Sequence, residues 1–256
     1  MFGNADAERP VGDVVEEARR LLDLSAQLGV PLFLLGGVAI ELRRTLPHPL
    51  LSREFKDIDF ITANGKGGQA ASLLKRAGYR PDFEFNAMNG RRRLLFWDDA
   101  NLRQVDVFVG EFEMSHRLPL AERLQPGAET IPLADLLATK LQIYELNPKD
   151  QIDILNLLHD HPVVPEAGDD SGISASRLAQ LCAADWSFWR TAKLNVERTL
   201  EALADGATPP DAANVIRARL VELWEVVERE PKPRKWRLRS RVGDRVTWYQ
   251  LPEEAR

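Results

Sequence analysis

The residues of this chain best suited to chemistry are three aspartates on two short apolar segments. Asp57 and Asp59 alternate with Ile58 and Phe60, and Asp106 lies in a later apolar segment. Because side chains alternate between the faces of a strand, the two nearby acids point to one face and their apolar neighbours to the other. If the two segments are adjacent, three carboxylates crowd together, and their repulsion is costly unless cations neutralise it. The pattern therefore predicts metal ligation by Asp57, Asp59 and Asp106, with a pair of Mg²⁺ (or Mn²⁺) ions roughly 3.5–4 Å apart, as in in-line phosphoryl transfer.

A glycine pair, Gly36-Gly37, follows an apolar run and precedes both acidic segments. It predicts a tight turn from a strand into a helix. The backbone N–H groups of such a turn, together with the positive helix N-terminus, can bind a phosphate. A diglycine alone is often only a turn. The order of the motifs along the chain, first the glycine pair, then the paired acids and then the third acid, favours a site that binds a divalent metal ion together with a triphosphate.

Hydrophobic periodicity places these motifs on alternating elements. Apolar residues at helical spacing predict a first helix from Val14 to Leu28, ending at Gly29. A strand, a helix, a strand and a helix are then predicted at residues 31–35, 38–44, 57–62 and 69–77. From Tyr79 to Val109 extended segments alternate with turn compositions. We therefore predict an α+β fold, a mixed sheet with flanking helices.

The second half of the chain is predicted to be helical. Two helices, residues 133–146 and 149–159, precede a stretch rich in proline, glycine and acids that reads as a linker at 163–172. The predicted organisation is thus a catalytic domain at 1–162 and a helical C-terminal domain at 173–256. Alternating apolar residues on both sides of Gly243 predict that the second domain ends in a β-hairpin.

Composition restricts the class of protein. The 256 residues are 44% hydrophobic and 29% charged, as in an ordinary soluble globular protein. The apolar runs are far shorter than the ~20 residues that span a bilayer, and the N-terminus lacks a signal pattern, so we expect a cytoplasmic protein without membrane contact. A single cysteine, Cys182, excludes an internal disulfide, and the four histidines have no cysteine partners for a zinc site.

Charge is unevenly distributed along this chain. The formal net charge is −5, yet the segment from Lys232 to Arg245 holds seven basic residues and one acid, Asp244. Such a segment can bind RNA, or it can be an exposed edge that its charge protects from association. The sequence leaves both interpretations open.

The order of Gly36-Gly37, Asp57-x-Asp59 and Asp106 resembles the nucleotidyltransferase fold of the DNA polymerase β superfamily. The resemblance implies that the glycine turn grips a triphosphate, that the paired acids bind metal ions, and that the third acid completes the site and activates the acceptor hydroxyl. The stretch between Gly37 and Asp57 is longer than in compact members, which indicates an inserted loop at 45–53.

A narrower similarity involves two later segments, 134–141 and 149–155, which resemble AbiEii-type nucleotidyltransferases, a family that includes toxins of toxin-antitoxin systems. The resemblance implies that Lys140 contacts the nucleotide phosphates and that Asp150 helps to complete the site. Without the family, Lys140 reads as a lysine whose stem lies along an apolar face. Asp150 then reads as a first-turn acid that the helix dipole stabilises.

Together these features predict an enzyme, a metal-dependent nucleotidyltransferase that moves a nucleoside monophosphate from an NTP to an acceptor hydroxyl and releases pyrophosphate. The basic segment favours RNA, such as tRNA, as the acceptor, and the AbiEii resemblance adds an antitoxin protein as an expected partner. The alternative is a non-catalytic nucleotide-binding or partner-binding module that kept the fold. The sequence identifies neither the nucleotide nor the oligomeric state.

Overall fold

The structure, a computed structural model, describes residues 9–47, 49–166 and 171–251. Its centre is a sheet of five strands: Phe33–Leu35 (β1), Asp57–Thr62 (β2), Arg80–Pro81 (β3), Arg93–Asp98 (β4) and Arg103–Val109 (β5). The strands lie in the order β1-β2-β5-β4-β3. Strands β2 and β5 run parallel, whereas the other neighbouring pairs run antiparallel. The predicted mixed α+β sheet is therefore confirmed.

Helices flank this sheet and follow it along the chain. The helices that belong to the first 160 residues are Val14–Leu28 (α1), Gly36–Leu42 (α2), Gly67–Arg76 (α3), Phe83–Asn89 (α4), Leu133–Leu141 (α5) and Pro148–Asp160 (α6). As predicted, α1 ends at Gly29, whose φ of 63° is left-handed. Helix α4 lies in the region predicted to be extended, and it begins where the Asp82 side chain accepts a hydrogen bond from the Phe85 amide.

The apolar side of β2 explains why its acids are exposed to a cavity. Ile58 and Phe60 are completely buried in the hydrophobic core, together with Ile61. Burying these side chains fixes the register of the strand, because a slip of one residue would place the carboxylates in the core. The alternation read from the sequence thus determines which face carries the aspartates.

Two short strand pairs lie outside the main sheet. Glu111–Glu113 (β6) and Arg117–Pro119 (β7) form an antiparallel pair, and Val163–Val164 (β8) and Ile173–Ser174 (β9) form a parallel pair. The second pair joins the two ends of the predicted linker. Residues 167–170 of that linker lie outside the described residues.

The C-terminal helices are Ala175–Ala184 (α7), Trp186–Ala202 (α8), Pro210–Arg229 (α9) and Arg234–Val242 (α10). Helices α7 and α8 pack against α5, and α9 packs against α6 and α7. One hydrophobic cluster contains buried residues from both halves of the chain. None of the described helices is long and apolar enough to cross a membrane.

The predicted terminal β-hairpin is wrong, because its first strand is the helix α10 and a 3-10 turn, Gly243–Arg245, follows it. The alternation of Trp236 and Leu238 with basic residues imitates a strand. Arginine and lysine are good helix formers, however, Pro233 precedes the first helical residue, and Gly243 adopts a φ of 58° where the helix ends.

Contacts with the rest of the protein hold the helix in place. The Trp236 Nε1 donates a hydrogen bond to the Cys182 carbonyl at 2.9 Å, and its ring lies edge-on to Trp189 with 5.2 Å between centroids. These contacts partly bury the aromatic side chain, while most of the basic residues of α10 are exposed.

Candidate active site

The register of the sheet brings the three aspartates together. Asp59 lies directly opposite Asp106 across the parallel pair β2 and β5, and Asp57 lies two residues before Asp59 on the same face. On the other side of β2, Leu35 lies opposite Asp59. Because α2 begins at Gly36, immediately after Leu35, the glycine turn lies beside the acidic pair.

The two glycines of the turn have different surroundings. Gly36 has a φ of 72°, and a Cβ at this position would overlap the Asp59 carboxylate. A Cβ at Gly37 would overlap the guanidinium of Arg53 instead. The first position therefore requires glycine both for its backbone conformation and for the close approach of the carboxylate.

A cavity of about 430 Å³, here called the acidic cavity, opens between the sheet and helices α5 and α6. Six predicted site residues line it: Gly36, Asp57, Asp59, Asp106, Lys140 and Asp150. Gly37 is not among the lining residues, since its α-carbon faces Arg53. The structure thus places all of the predicted acids and the predicted lysine around one cavity.

The carboxylates of Asp57 and Asp59 have no hydrogen-bond or ion-pair partner in the described part of the chain. Burial and repulsion by Asp57 and then Asp106 raise the pKa of Asp59 well above its ordinary value, although Lys140 and Arg93 act in the opposite direction. Asp59 is therefore a carboxylate whose negative charge the protein alone leaves poorly compensated.

Asp106, by contrast, is fully engaged. It accepts hydrogen bonds from Arg93 Nε at 2.7 Å and from Gln104 Nε2 at 2.6 Å. The Arg93 guanidinium also lies 5.2 Å from the ring centroid of Phe108 and 5.6 Å from that of Phe85. The third acid is thus neutralised by a side chain that two aromatic rings hold in place.

Lys140 and Asp150 contact each other across the junction between α5 and α6. The Lys140 Nζ lies 2.7 Å from Asp150 Oδ1 and 2.9 Å from Asp153 Oδ2. Burial opposes the charge on this lysine, yet the carboxylates of Asp153 and Asp150 hold its pKa above the ordinary value. The result is a charged lysine that is only 9% exposed and lines the acidic cavity.

Three further residues, Arg53, Arg93 and Asp153, shape the site and were not among the predicted site residues. Asp153 bridges Lys140 to Arg53, whose Nε and Nη2 donate to its two oxygens at 2.7 and 2.9 Å. The spacing of Asp150 and Asp153 places them on one helix face, a signal that the sequence contains. No sequence pattern marks the two arginines.

The arrangement fits a cation held by two carboxylates. Within residues 9–47, 49–166 and 171–251, no three His, Cys, Asp or Glu side chains converge closely enough to hold a metal ion. Asp106 faces Arg93 instead, which leaves Asp57 and Asp59 as the available donors. This suits Mg²⁺, which proteins usually bind through one or two carboxylates together with water and substrate phosphates.

Sequence comparison gives a family for most of this region. The model of the family described as "Uncharacterised nucleotidyltransferase" matches residues 9–157, which include all of the predicted site residues. No curated protein matches the chain.

Three solved structures show weak likeness over most of the chain. One is a Helicobacter pylori protein assigned provisionally to the nucleotidyltransferases, with 13% identity, a TM-score of 0.37, and coverage of 86% of this chain and 97% of that chain. JHP933 from Helicobacter pylori has 13% identity, a TM-score of 0.37, and coverage of 88% and 93%. A tRNA-processing enzyme has 16% identity, a TM-score of 0.31, and coverage of 94% and 61%.

The glycine turn can be tested with a matched pair of substitutions. Gly36 and Gly65 have similar left-handed φ angles of 72° and 75°, but a Cβ at Gly65 meets no atom within 4 Å. We expect Gly65→Ala to lower the free energy of unfolding by about 1–2 kcal/mol through backbone strain alone. Gly36→Ala should cost at least twice as much, as measured by urea unfolding, and equal losses would contradict the close packing against Asp59.

The raised pKa of Asp59 predicts a pH-dependent stability. Since the folded protein binds this proton more tightly than the unfolded chain, the ionised group destabilises the fold above its folded-state pKa. Asp59→Asn should therefore raise the free energy of unfolding near neutral pH in metal-free buffer. The gain should shrink as the pH falls through the raised pKa and vanish below the ordinary value of 3.8.

Urea unfolding across this pH range measures the effect, with Glu54→Gln as the control because Glu54 is an exposed acid outside the acidic cavity. A gain that is the same at every pH, or the same in the control, would show that Asp59 does not carry the unfavourable charge.

Proposed function

The chain belongs to the nucleotidyltransferase family whose model matches residues 9–157, and from this premise we propose that it transfers a nucleoside monophosphate from an NTP to a hydroxyl group of RNA in a reaction that requires Mg²⁺ or Mn²⁺. Family membership confirms the predicted nucleotidyltransferase relationship. The observation that carries the proposal is the unpartnered pair Asp57 and Asp59, which faces the same cavity as Gly36 and the charged Lys140.

The free carboxylate pair supports the metal requirement. Asp57 and Asp59 would hold the cation, which when bound neutralises charge on the phosphates and polarises the α-phosphoryl group. Binding would also offset the burial and the repulsion by Asp57 and Asp106 that raise the pKa of Asp59. The uncompensated negative charge destabilises the protein without metal. Its neutralisation on binding therefore contributes to the affinity for the metal and its triphosphate.

Lys140 is placed to hold the leaving phosphates. Its ammonium group is buried, charged and already oriented by Asp150 and Asp153. Little reorganisation is needed for such a preorganised cation to stabilise the negative charge that develops on pyrophosphate. Gly36, at the beginning of α2, would bring the backbone close to the same phosphates.

In the proposed reaction the acceptor hydroxyl oxygen forms a bond to the α-phosphorus. The bond from that phosphorus to the oxygen bridging to the β-phosphate breaks, and pyrophosphate leaves with the bonding electrons. Asp106 would orient the hydroxyl and accept its proton once Arg93 has moved from the carboxylate. The residues thus contribute positioning and charge rather than a covalent intermediate.

The surface of α10 supports RNA as the acceptor. Four of its basic residues are exposed, and none of them has a carboxylate partner among the described residues: Arg234, Lys235, Arg237 and Arg241. Unpaired cations on one element attract a phosphate backbone and release its counterions. The charge predicted for a hairpin is therefore present on a helix. Cytoplasmic location, a toxin role and an antitoxin partner remain predictions from the sequence.

The proposal is tested first by nucleotide binding. Isothermal titration should show that wild-type protein binds NTP only in the presence of Mg²⁺, and that Asp57→Ala combined with Asp59→Ala weakens this binding by roughly 100-fold or more. Glu54→Ala, which removes an exposed acid outside the cavity, should leave the affinity unchanged. Wild-type binding that needs no metal, or equal binding by the double variant, would refute the proposed site.

Incubation with labelled NTPs and cellular RNA then tests transfer. Label that enters RNA with wild type and not with the double variant supports the enzyme. Tight, Mg²⁺-dependent binding without transfer to RNA, protein or small molecules would instead support a non-catalytic nucleotide-binding module, in which Arg93 holds Asp106 permanently.

A further inference from the structure

A second cavity adjoins the acidic cavity. It has a volume of about 240 Å³ and shares four lining residues with its neighbour: Arg93, Phe108, Met114 and Leu251. We call it the side cavity. The residues that line it alone are Phe85, Asn89, Arg92, Val109, Glu111, Glu113 and Gln250. Because Arg93 is also the partner of Asp106, the two cavities meet at the acid that would face the acceptor hydroxyl.

The side cavity combines an aromatic ring, amides and a cation. Phe85 offers a ring, and the amides of Asn89 and Gln250 offer donors and acceptors. The Arg92 side chain is 83% exposed and its Nη1 lies 3.5 Å from Glu113 Oε2, so the rest of its guanidinium is open to a ligand. These groups suit a nucleotide. Its base can stack on the ring, the polar edge of the base can bond to the amides, and its phosphate can bind the arginine.

The charges of the side cavity argue against a metal-bound triphosphate there. The Glu111 carboxylate is already paired with Arg117, and Glu113 lies nearest to Arg92. Each of these acids therefore has a basic neighbour, in contrast to Asp57 and Asp59. A neutral base with a single phosphate at the exposed Arg92 suits this cavity better than a second NTP.

The C-terminal segment connects the basic helix to the side cavity. Residues 246–251 follow α10 and the 3-10 turn, and the backbone N–H of Gln250 donates to the backbone carbonyl of Ser115 at 3.1 Å. The Tyr249 ring stacks on Tyr144 with 3.4 Å between centroids and an interplanar angle of 10°. The chain therefore runs along a fixed path from the exposed cations of α10 to the wall of the cavity. The exposed cations of α10, where this path begins, attract a polyanion such as RNA, whereas residues 246–251 themselves carry no charge.

We propose that the side cavity binds the 3′-terminal nucleotide of the RNA acceptor. The base stacks on Phe85, the phosphate on its 5′ side contacts Arg92, and the terminal hydroxyl reaches Asp106 past Arg93. This inference rests on the proposed transferase function, since it assigns the acceptor end of that reaction. It makes Arg92 a binding residue for the RNA and gives it no part in binding the NTP.

The inference can be tested by substituting Arg92, and Arg91 provides the matched control. The two residues are adjacent and exposed, and of the two only Arg92 lines the side cavity. An RNA oligonucleotide with a 4-thiouridine at its 3′ end serves as the probe for binding and for photo-crosslinking. Arg92→Ala should weaken RNA binding about tenfold, the loss of one charge-assisted contact. Arg91→Ala should change it less than about twofold, and neither should alter Mg²⁺-NTP binding.

Crosslinked peptides identify where the terminal base lies. We expect the crosslink of the wild-type protein within residues 85–93 or 108–114, and Phe85→Leu should reduce its yield while NTP binding is retained. Equal losses of RNA affinity in the two arginine variants, or a crosslink confined to α10, would overturn the inference. Label transferred only to protein or small-molecule acceptors would overturn it as well.

These experiments distinguish a failure of the inference from a failure of the proposed function. Transfer to RNA with equal behaviour of the two arginine variants would refute the side cavity and leave the enzyme. A crosslink in the side cavity that depends on Arg92, without transfer to any acceptor, would support the RNA site and refute the transferase.

Discussion

The properties of the site depend on the burial and mutual repulsion of carboxylates that the β2–β5 register places on one face of the sheet. Asp59 lies opposite Asp106, and Asp57 lies on the same face of the sheet. Their apolar neighbours are buried in the core. The surrounding residues divide this charge unequally. Arg93 and Gln104 neutralise Asp106, whereas the other two acids are left for a ligand from solution. A folded protein tolerates such unpaired charge at a binding site because the ligand supplies the missing interaction.

A second group of charges places the helices against this site. Lys140 on α5 contacts Asp150 and Asp153 on α6, and Asp153 in turn binds Arg53 in the loop before β2. These side chains are largely buried, so each ion needs its partners to offset the loss of hydration. The network therefore couples the position of Lys140 to the loop that leads into β2. Removing one member leaves an uncompensated charge beside the acidic cavity.

Local patterns predicted much of this arrangement. The alternation in β2, the glycine turn before α2 and the order of the acids indicated which residues share a face, since these features depend on near neighbours in sequence. The pairing of Arg53 with Asp153 joins residues 100 positions apart, and that of Arg93 with Asp106 depends on the strand register, so neither has a local signature. The hairpin prediction was wrong at α10 because it relied on the alternation of apolar and basic residues. The helix-forming side chains of the segment and the flanking Pro233 and Gly243 favour a helix instead. The family match agrees with the ordered motifs and leaves the acceptor to be determined by experiment.

The central claim is that Asp57 and Asp59 together hold the cation that accompanies the triphosphate. Crystals grown with Mn²⁺ and a non-hydrolysable NTP analogue test it directly, because anomalous scattering locates the metal independently of the protein. We predict an anomalous peak between the two carboxylates, with the phosphates directed toward Lys140. A nucleotide bound outside the acidic cavity, or a peak that neither carboxylate ligates, would contradict the claim.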